Sequence, residues 1–329
     1  MTDLNALPTA AVLGATGCVG REVCAALGRA GYDVLAVARG PRPDLAPHAF
    51  HALDVAAADP AALAALLTTA RVEVVVNATG GWVSTEEAMH HAHVRLVDRL
   101  LAATALMPRR PRIVQVGTIH EYGFVPDGVP IDERVEPNPT TPYARTKHAG
   151  SEAVLAATRA GEADGVVLRA VNVCGPHTTR ASFLGTVMAK LAEASEASEA
   201  SEASESEGLE LTIADARRDY VDVRDLADAV VRAARAPVVG QVINIGRGEA
   251  VSMRELVSLL VSASGIPPHA VRERSARVES KGGGWTQADI TLAGRLLDWR
   301  PRIPLARAVA DMWATDRAVR SAAHGRPAD

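Results

Sequence analysis

The chain has 329 residues, 48% hydrophobic and 22% charged, enough for a sizeable core in one large α/β domain or two smaller ones. A net charge of −4 with no basic stripe argues against nucleic acid as a partner, and no apolar run reaches the roughly 18 residues that span a membrane. The opening MTDLNALPTA lacks the basic and apolar regions of a signal peptide, and Cys18, Cys24 and Cys174 have neither the number nor the spacing of disulfides or a zinc site, so the expected location is the cytoplasm.

Ala10 to Leu13 reads as a short apolar strand, followed by Gly14-Ala-Thr-Gly17-Cys-Val-Gly20 and an Ala- and Leu-rich helix to about Ala30. Strand, glycine turn and helix are the context of a dinucleotide fingerprint. Gly14 permits the tight turn, Gly17 lets the backbone approach a pyrophosphate, Gly20 lets the helix pack on the strand, and the helix N-terminus faces the phosphates. A second strand, Asp33 to Ala38, ends at Arg39 with Arg42 close behind. An acid there would serve the ribose 2′-hydroxyl of NAD; a cation suits a 2′-phosphate, so NADP(H) is the preferred cofactor and NAD(H) the alternative.

Ala52 to Val55 reads as a third strand whose Asp54 reaches the adenine, and Asp59-Pro60 starts the next helix. Val72 to Asn77 is an apolar strand leading into Ala78-Thr79-Gly-Gly, a small-residue turn that admits a cofactor. A helix over 84–104 carries His90, His91 and His93, whose spacing does not bring three ligands together; no metal is expected.

Ile113 to Val116 is a short buried strand with Thr118 just past its end. Thr141 followed by Pro142 predicts an N-cap with proline at the first helical position. The helix puts Tyr143 and Lys147 four apart on one face. A phenol, an ammonium one turn away and a hydroxyl at a strand end are the parts of a carbonyl-reduction site: the phenol moves the proton, the cation favours the phenolate, and the hydroxyl holds the substrate oxygen. Lysine occurs only at 147, 190 and 281, which makes Lys147 conspicuous.

Val166 to Val173 reads as another strand, followed by Cys174-Gly175-Pro176-His177. A helix from about Ser182 to Ala192 runs into EASEASEASEASESEG, residues 193–208, an acidic triplet repeat with too few apolar side chains to bury itself. Leu209 to Ile213 and Val242 to Ile245 read as strands, Leu226 to Arg235 as a helix, and Ser252-Met-Arg-Glu255 as a capping box opening a helix that ends at Gly265. A helix ending near Trp299 follows, and residues 319–329 read as a disordered tail.

These pieces together resemble the extended short-chain dehydrogenase/reductases over roughly residues 9–315. The resemblance rests on Thr118 four residues before Tyr122-Gly123 and twenty-five before Tyr143, Asn172 with Gly175-Pro176, Arg218-Asp219-Tyr220-Val221, Asn244-Ile245-Gly246 and Leu297-Asp298-Trp299-Arg300-Pro301. Within the family, VGTIHEYG and TTPYARTKHAGSE look most like the NDP-hexose 4-ketoreductases of deoxysugar biosynthesis. Dehydratases have Thr-Asp-Glu where this chain has Thr118-Ile119-His120, so the acid pair for eliminating water is missing. NAD-retaining 4-epimerases keep an acid after the second strand, also missing here.

The resemblance implies a Rossmann-type doubly wound parallel sheet over 9–171 plus about 221–248. A smaller, discontinuous C-terminal nucleotide-sugar-binding domain would take about 172–220 plus 249–318. Thr118, Tyr143 and Lys147 would be catalytic. The cofactor would meet Gly14, Thr16, Gly17, Cys18, Val19, Gly20, Arg39, Asp54, Val55, Ala78 and Thr79, with Tyr143 and Lys147. Trp82, Asn172, Arg218 and Arg277 would bind the substrate, with Lys281 a looser candidate. GDP-fucose synthases place an acid/base cysteine and histidine where this chain has His120 and His177, so both are candidate further acid/base groups. The expected activity is NADPH-dependent reduction of an NDP-4-keto-6-deoxyhexose, dTDP-linked, by a homodimer. The alternatives are an epimerase/reductase, a 4-epimerase, or a cofactor-sensing protein without turnover.

Overall fold

Residues 7–42, 45, 47–81, 85–200, 209–274 and 283–323 are described by a computed structural model. The first half of the chain alternates strand and helix: β1 (Thr9–Leu13), α1 (Cys18–Arg29), β2 (Asp33–Ala38), β3 (Ala49–Ala52), α2 (Pro60–Thr69) and β4 (Val72–Asn77). There follow α3 (Glu86–His90), a π-helical turn at His91–Arg95, α4 (Leu96–Ala105), β5 (Arg112–Thr118), a 3-10 turn at Ile119–Tyr122, α5 (Pro142–Arg159) and β6 (Asp164–Ala170). The second half contributes β7 (Asn172–Cys174), α6 (Phe183–Ala200), β8 (Leu209–Leu211), β9 (Arg217–Asp222), α7 (Val223–Arg235) and β10 (Val242–Ile245). It closes with β11 (Ala250–Ser252), α8 (Met253–Ser264), β12 (Val271–Glu273), β13 (Trp285–Thr286), α9 (Thr291–Leu297) and α10 (Leu305–Ala323).

Strands that are apolar on both faces need cover on both sides, which parallel sheets receive from their crossover helices. Seven strands pair in the order β10-β6-β5-β4-β1-β2-β3, all parallel. Val23 and Leu27 of α1 with Leu226 and Val230 of α7 fill one face; Leu63 and Leu67 of α2 with Leu100 of α4 fill the other. From β1 the chain winds one way through β2 and β3 and the other way through β4, β5 and β6. The switch point therefore lies between β1 and β4, at the carboxyl ends where a doubly wound sheet opens a crevice. This is the expected Rossmann-type fold. A smaller sheet, β11-β9-β13 with β7 on β9, stands beside a separate core of Leu184, Leu191, Leu256, Leu260, Met312 and Trp313 from α6, α8 and α10.

Several elements differ from the sequence reading. The strand expected over Val166 to Val173 breaks at Val171, whose N–H bonds the carbonyl of Ile245, the last residue of β10; Asn172 then crosses to β9 in the second sheet. The third strand stops at Ala52, leaving Asp54 in the following turn, where it accepts from the Ala56 N–H. The helix expected over 84–104 is interrupted by its π turn. Helix α6 continues past Ala192 to Ala200, because alanine and glutamate prolong an anchored helix without needing an apolar face; residues 201–208 of the repeat lie outside the described residues. Helix α10 likewise runs through the expected start of the tail to Ala323, with Arg320 paired to Asp316 one turn back at 2.8 Å and lying over the Trp313 ring; residues 324–329 lie outside the described residues. Among the described residues no helix is long and apolar enough to cross a membrane, and no group of three or more His, Cys, Asp or Glu could hold a metal ion.

Candidate active site

β5 carries Thr118 to the carboxyl edge of the sheet beside the switch point, and its backbone there is extended (φ −141°). Thr141 caps α5 by accepting from the Ala144 N–H at 3.1 Å, with Pro142 at the first position, as expected. The helix delivers Tyr143 and Lys147 to the same edge. The Tyr143 phenol is hydrogen-bonded to the Thr118 side chain. Lys147 is 3% exposed and donates from Nζ to the carbonyls of Val116 at 2.6 Å and Thr79 at 3.0 Å. A side chain at Gly80 would not fit, since its Cβ would lie 2.6 Å from Nζ. The electrostatics depart from the expected cation-assisted phenolate. Burial pushes the Tyr143 phenol up to about 12, the negative charge of Glu121 pushes the same way, and only the Thr118 bond opposes them. Burial brings the Lys147 ammonium down to about 8 against the pull of Glu121. Tyr143 in these surroundings is a held proton.

The glycine turn forms a cradle at the start of α1. Gly14 has φ +79°, and a Cβ there would meet the Thr79 methyl at 2.9 Å. A Cβ on Gly20 would fall 2.1 Å from the Gly14 carbonyl oxygen, so the helix seats on the strand only with glycine. Gly17 is the N-cap and offers no side-chain acceptor, leaving the first-turn N–H groups to an outside anion. Thr16 accepts from Arg21 Nε at 3.1 Å, and Val19 packs on the core. Arg39 is exposed just past β2, Val55 is buried in the turn after β3, and Ala78 packs on the core just past β4. These residues fit a dinucleotide with its phosphates on the α1 N-terminus and an anionic group near Arg39. Asp54 is paired with His91 Nε2 at 3.1 Å, a partner the sequence reading did not foresee.

On the other side of Thr118, the 3-10 turn presents His120, which hydrogen-bonds with the Asn172 side chain and lies near Arg218. Partial burial and the Arg218 charge bring the His120 imidazole down below its usual range. Asn172 donates to the Asp219 carbonyl at 3.2 Å, and Asp219, fully buried, accepts from the N–H groups of Arg247, Gly248 and Ala288, fixing the register that places Arg218. His177 sits in the turn after β7 with φ +61°, and Cys18 donates to the carbonyl of the preceding Pro176 at 3.4 Å. That contact brings the Gly-Pro-His turn against the start of α1. Burial pushes the Cys18 thiol up to about 12, disfavouring the thiolate. Trp82, Arg277 and Lys281 lie outside the described residues.

A family model described as the NAD dependent epimerase/dehydratase family matches residues 10–246. The chain belongs to that family. The dTDP-6-deoxy-L-talose 4-dehydrogenase (NAD(P)(+)) of Kitasatospora kifunensis is 40% identical over 92% of this chain and 94% of its own length. A protein solved in complex with UDP-glucuronic acid and NAD superposes with a TM-score of 0.78 at 25% identity, covering 94% of this chain and 99% of the other. UDP-glucose 4-epimerase of Thermotoga maritima superposes with a TM-score of 0.82 over 94% and 99% of the two chains; at 20% identity it shows the shared fold.

In this epimerase/dehydratase family member, Glu121 escaped the sequence reading as a site residue, and His93 was read only as part of a His-rich helix start. Glu121 is fully buried directly behind Thr118, and the only local signal for it was the T-x-x-E capping-box spacing of Thr118 to Glu121. His93, 2% exposed in the π turn, meets the Tyr143 ring edge-on at 5.6 Å and bonds Thr146 Oγ1 through Nδ1 at 2.9 Å. Burial and the Lys147 charge bring His93 down to about 3. A π turn is rare in helices and often marks a functional site, but nothing in the sequence of 86–105 announced it.

Proposed function

We propose that the chain catalyses NADPH-dependent reduction of the 4-keto group of an NDP-4-keto-6-deoxyhexose, with a dTDP-linked sugar as the substrate. The observation that carries this reading is the Tyr143 phenol bonded to Thr118, one helical turn from the buried Lys147 ammonium on α5. The 4-dehydrogenase from Kitasatospora kifunensis supports it, because the named reaction breaks at C4 the bond that reduction forms. When bound, the reduced nicotinamide supplies the hydride to C4. As negative charge develops on the carbonyl oxygen, Tyr143 Oη gives up its proton to it. Thr118 Oγ1 holds that oxygen and the phenol in one line. The Lys147 ammonium then stabilises the phenolate left behind, a charge it does not have to meet before the reaction. Positioned proton transfer of this kind contributes on the order of 10²–10⁴ in rate. Arg39 favours the 2′-phosphate of NADPH. The smaller sheet, with Asn172 on β7 and Arg218 on β9, takes the sugar diphosphate.

One observation keeps the epimerase/reductase as a second reading. His120 stands bonded to Asn172 near Arg218, and its imidazole, held below its usual range, is a group that can take a proton from a carbon beside a ketone. A panel of NDP-4-keto sugars incubated with NADPH or NADH separates these readings. The reductase consumes NADPH and returns one C4 alcohol by NMR, with lower turnover on NADH. Consumption of neither cofactor with any keto-sugar would refute it.

A further inference from the structure

We propose that Glu121 is the positioning residue of this site: its carboxylate locks the Thr118 strand end onto helix α5, and its negative charge opposes a second negative charge on Tyr143. The inference rests on the assignment of Tyr143 as proton donor. The geometry is compact. Glu121 Oε1 accepts from the Thr118 N–H at 2.9 Å and from the Ser151 hydroxyl at 3.0 Å. Ser151 stands one turn beyond Lys147 on α5, so a single oxygen joins the strand end that holds the hydroxyl to the helix that holds the phenol and the ammonium. Oε2 accepts from Arg169 Nε of β6 at 2.8 Å and faces His148 Nδ1 of α5 at 3.7 Å. Space for the carboxylate is made by Gly117, where a Cβ would come within 2.6 Å of Oε1.

The charge is real and unevenly shared. His148, Arg169 and the Thr118 N–H together outweigh burial and hold Glu121 below the usual carboxylate range. Arg169 lies over the Tyr122 ring at 4.4 Å, and the Tyr122 phenol also feels Glu133. From α5, Tyr143 and Lys147 both feel Glu121: the phenol is pushed up and the ammonium is pulled up against its burial. His93 faces the same pair from the π turn. A neutral phenol beside a cationic ammonium is the pairing that reduction uses. In the reverse direction the phenol must first lose its proton, and the carboxylate behind Thr118 delays that loss to higher pH.

Glu121→Gln alone leaves Arg169 buried without its counter-charge and risks the fold. The test therefore adds the double variant Glu121→Gln/Arg169→Met, which removes both charges, and Glu121→Asp, which keeps the charge on a shorter arm. Circular dichroism checks folding. The first readout is the ¹³Cζ resonance of Tyr143, assigned by its loss in Tyr143→Phe and titrated in protein labelled at tyrosine. Native protein and Glu121→Asp should stay protonated at pH 10.5, while the double variant moves part-way to the tyrosinate position. The second readout is the pH profile of alcohol oxidation with NADP⁺, using the C4 alcohol the native enzyme forms. Its rising limb should move down by about one pH unit in the double variant, the low end of what a nearby like charge produces. A folded double variant with the native titration and profile overturns the proposal, as does Glu121→Asp matching the double variant. If Tyr143→Phe keeps native turnover, the proton-donor assignment itself falls. If Tyr143→Phe is inactive and its titration ignores Glu121, only the present inference falls.

Discussion

On the wall of the site nearest β5 and α5, Thr118, Glu121, Lys147 and Ser151 are each less than a tenth exposed and are tied by hydrogen bonds of 2.6–3.0 Å. On the facing wall, His120, Asn172 and His177 are only partly buried and sit in the 3-10 turn after β5, at the start of β7 and in the turn after β7. The first wall fixes a proton and a cation in place before any substrate arrives, which is how a site lowers a barrier without reorganising at the moment of reaction. The second offers neutral or hydrogen-bonding groups on less confined backbone, suited to choosing among sugars. The difference implies that damage to the first wall costs rate and pH behaviour, while damage to the second costs selectivity.

The largest expected effect lies on the first wall. Tyr143→Phe removes one oxygen and keeps the ring against His93, so NADPH affinity by calorimetry should stay close to native while kcat falls by about 10²–10⁴. A fall of that size with unchanged fold sharpens the contrast.

Next comes the pH dependence of stability. His93 titrates near 3 in the folded protein and near 6.5 when exposed, so between those values the unfolded chain binds more protons and stability rises with pH. Its share is fully present above about 6.5 and is lost as the pH falls. In urea melts between pH 4 and 5.5, His93→Asn should flatten the decline by up to about 1.4 kcal/mol per pH unit. An unchanged slope would show that His93 is not held neutral against Tyr143 and Lys147.

The smallest effect belongs to the facing wall. His120→Ala should lower kcat/KM by about tenfold or less, the size of a lost hydrogen bond, and leave the product's C4 configuration intact. A loss as large as that of Tyr143→Phe would erase the distinction between the walls and favour the epimerase/reductase, in which His120 moves a proton.

The same contrast explains what was legible in the sequence. The Gly14–Gly20 turn, the Thr141-Pro142 cap and the Tyr143–Lys147 spacing are local patterns, readable within one or two helical turns. The doubly wound parallel sheet was read through the family resemblance these motifs carry, and the strand order came only from the structure. Glu121 was not legible as a site residue because its meaning comes from Arg169, distant in sequence, and from burial that polar composition does not announce. The net electrostatics of Tyr143 were not legible for a related reason: burial and Glu121, both tertiary, raise the phenol. The break at Val171 was hidden because apolar residues continue unbroken while the pairing partner ends at Ile245. The extension of α6 to Ala200 was missed for the opposite reason: the repeat lacks an apolar face, and attachment to a packed helix removes the need for one.

The central claim is hydride delivery to C4 with proton delivery from Tyr143. It is tested most directly by reducing a dTDP-4-keto-6-deoxyhexose with NADPH deuterated on the transferring face of the nicotinamide, in ordinary water, and locating the label by NMR. The account predicts one deuterium at C4 of the product sugar and none elsewhere, with incorporation cut by about 10²–10⁴ in Tyr143→Phe at equal enzyme and time. A native product carrying no deuterium at C4, or formed as fast by Tyr143→Phe, would contradict it.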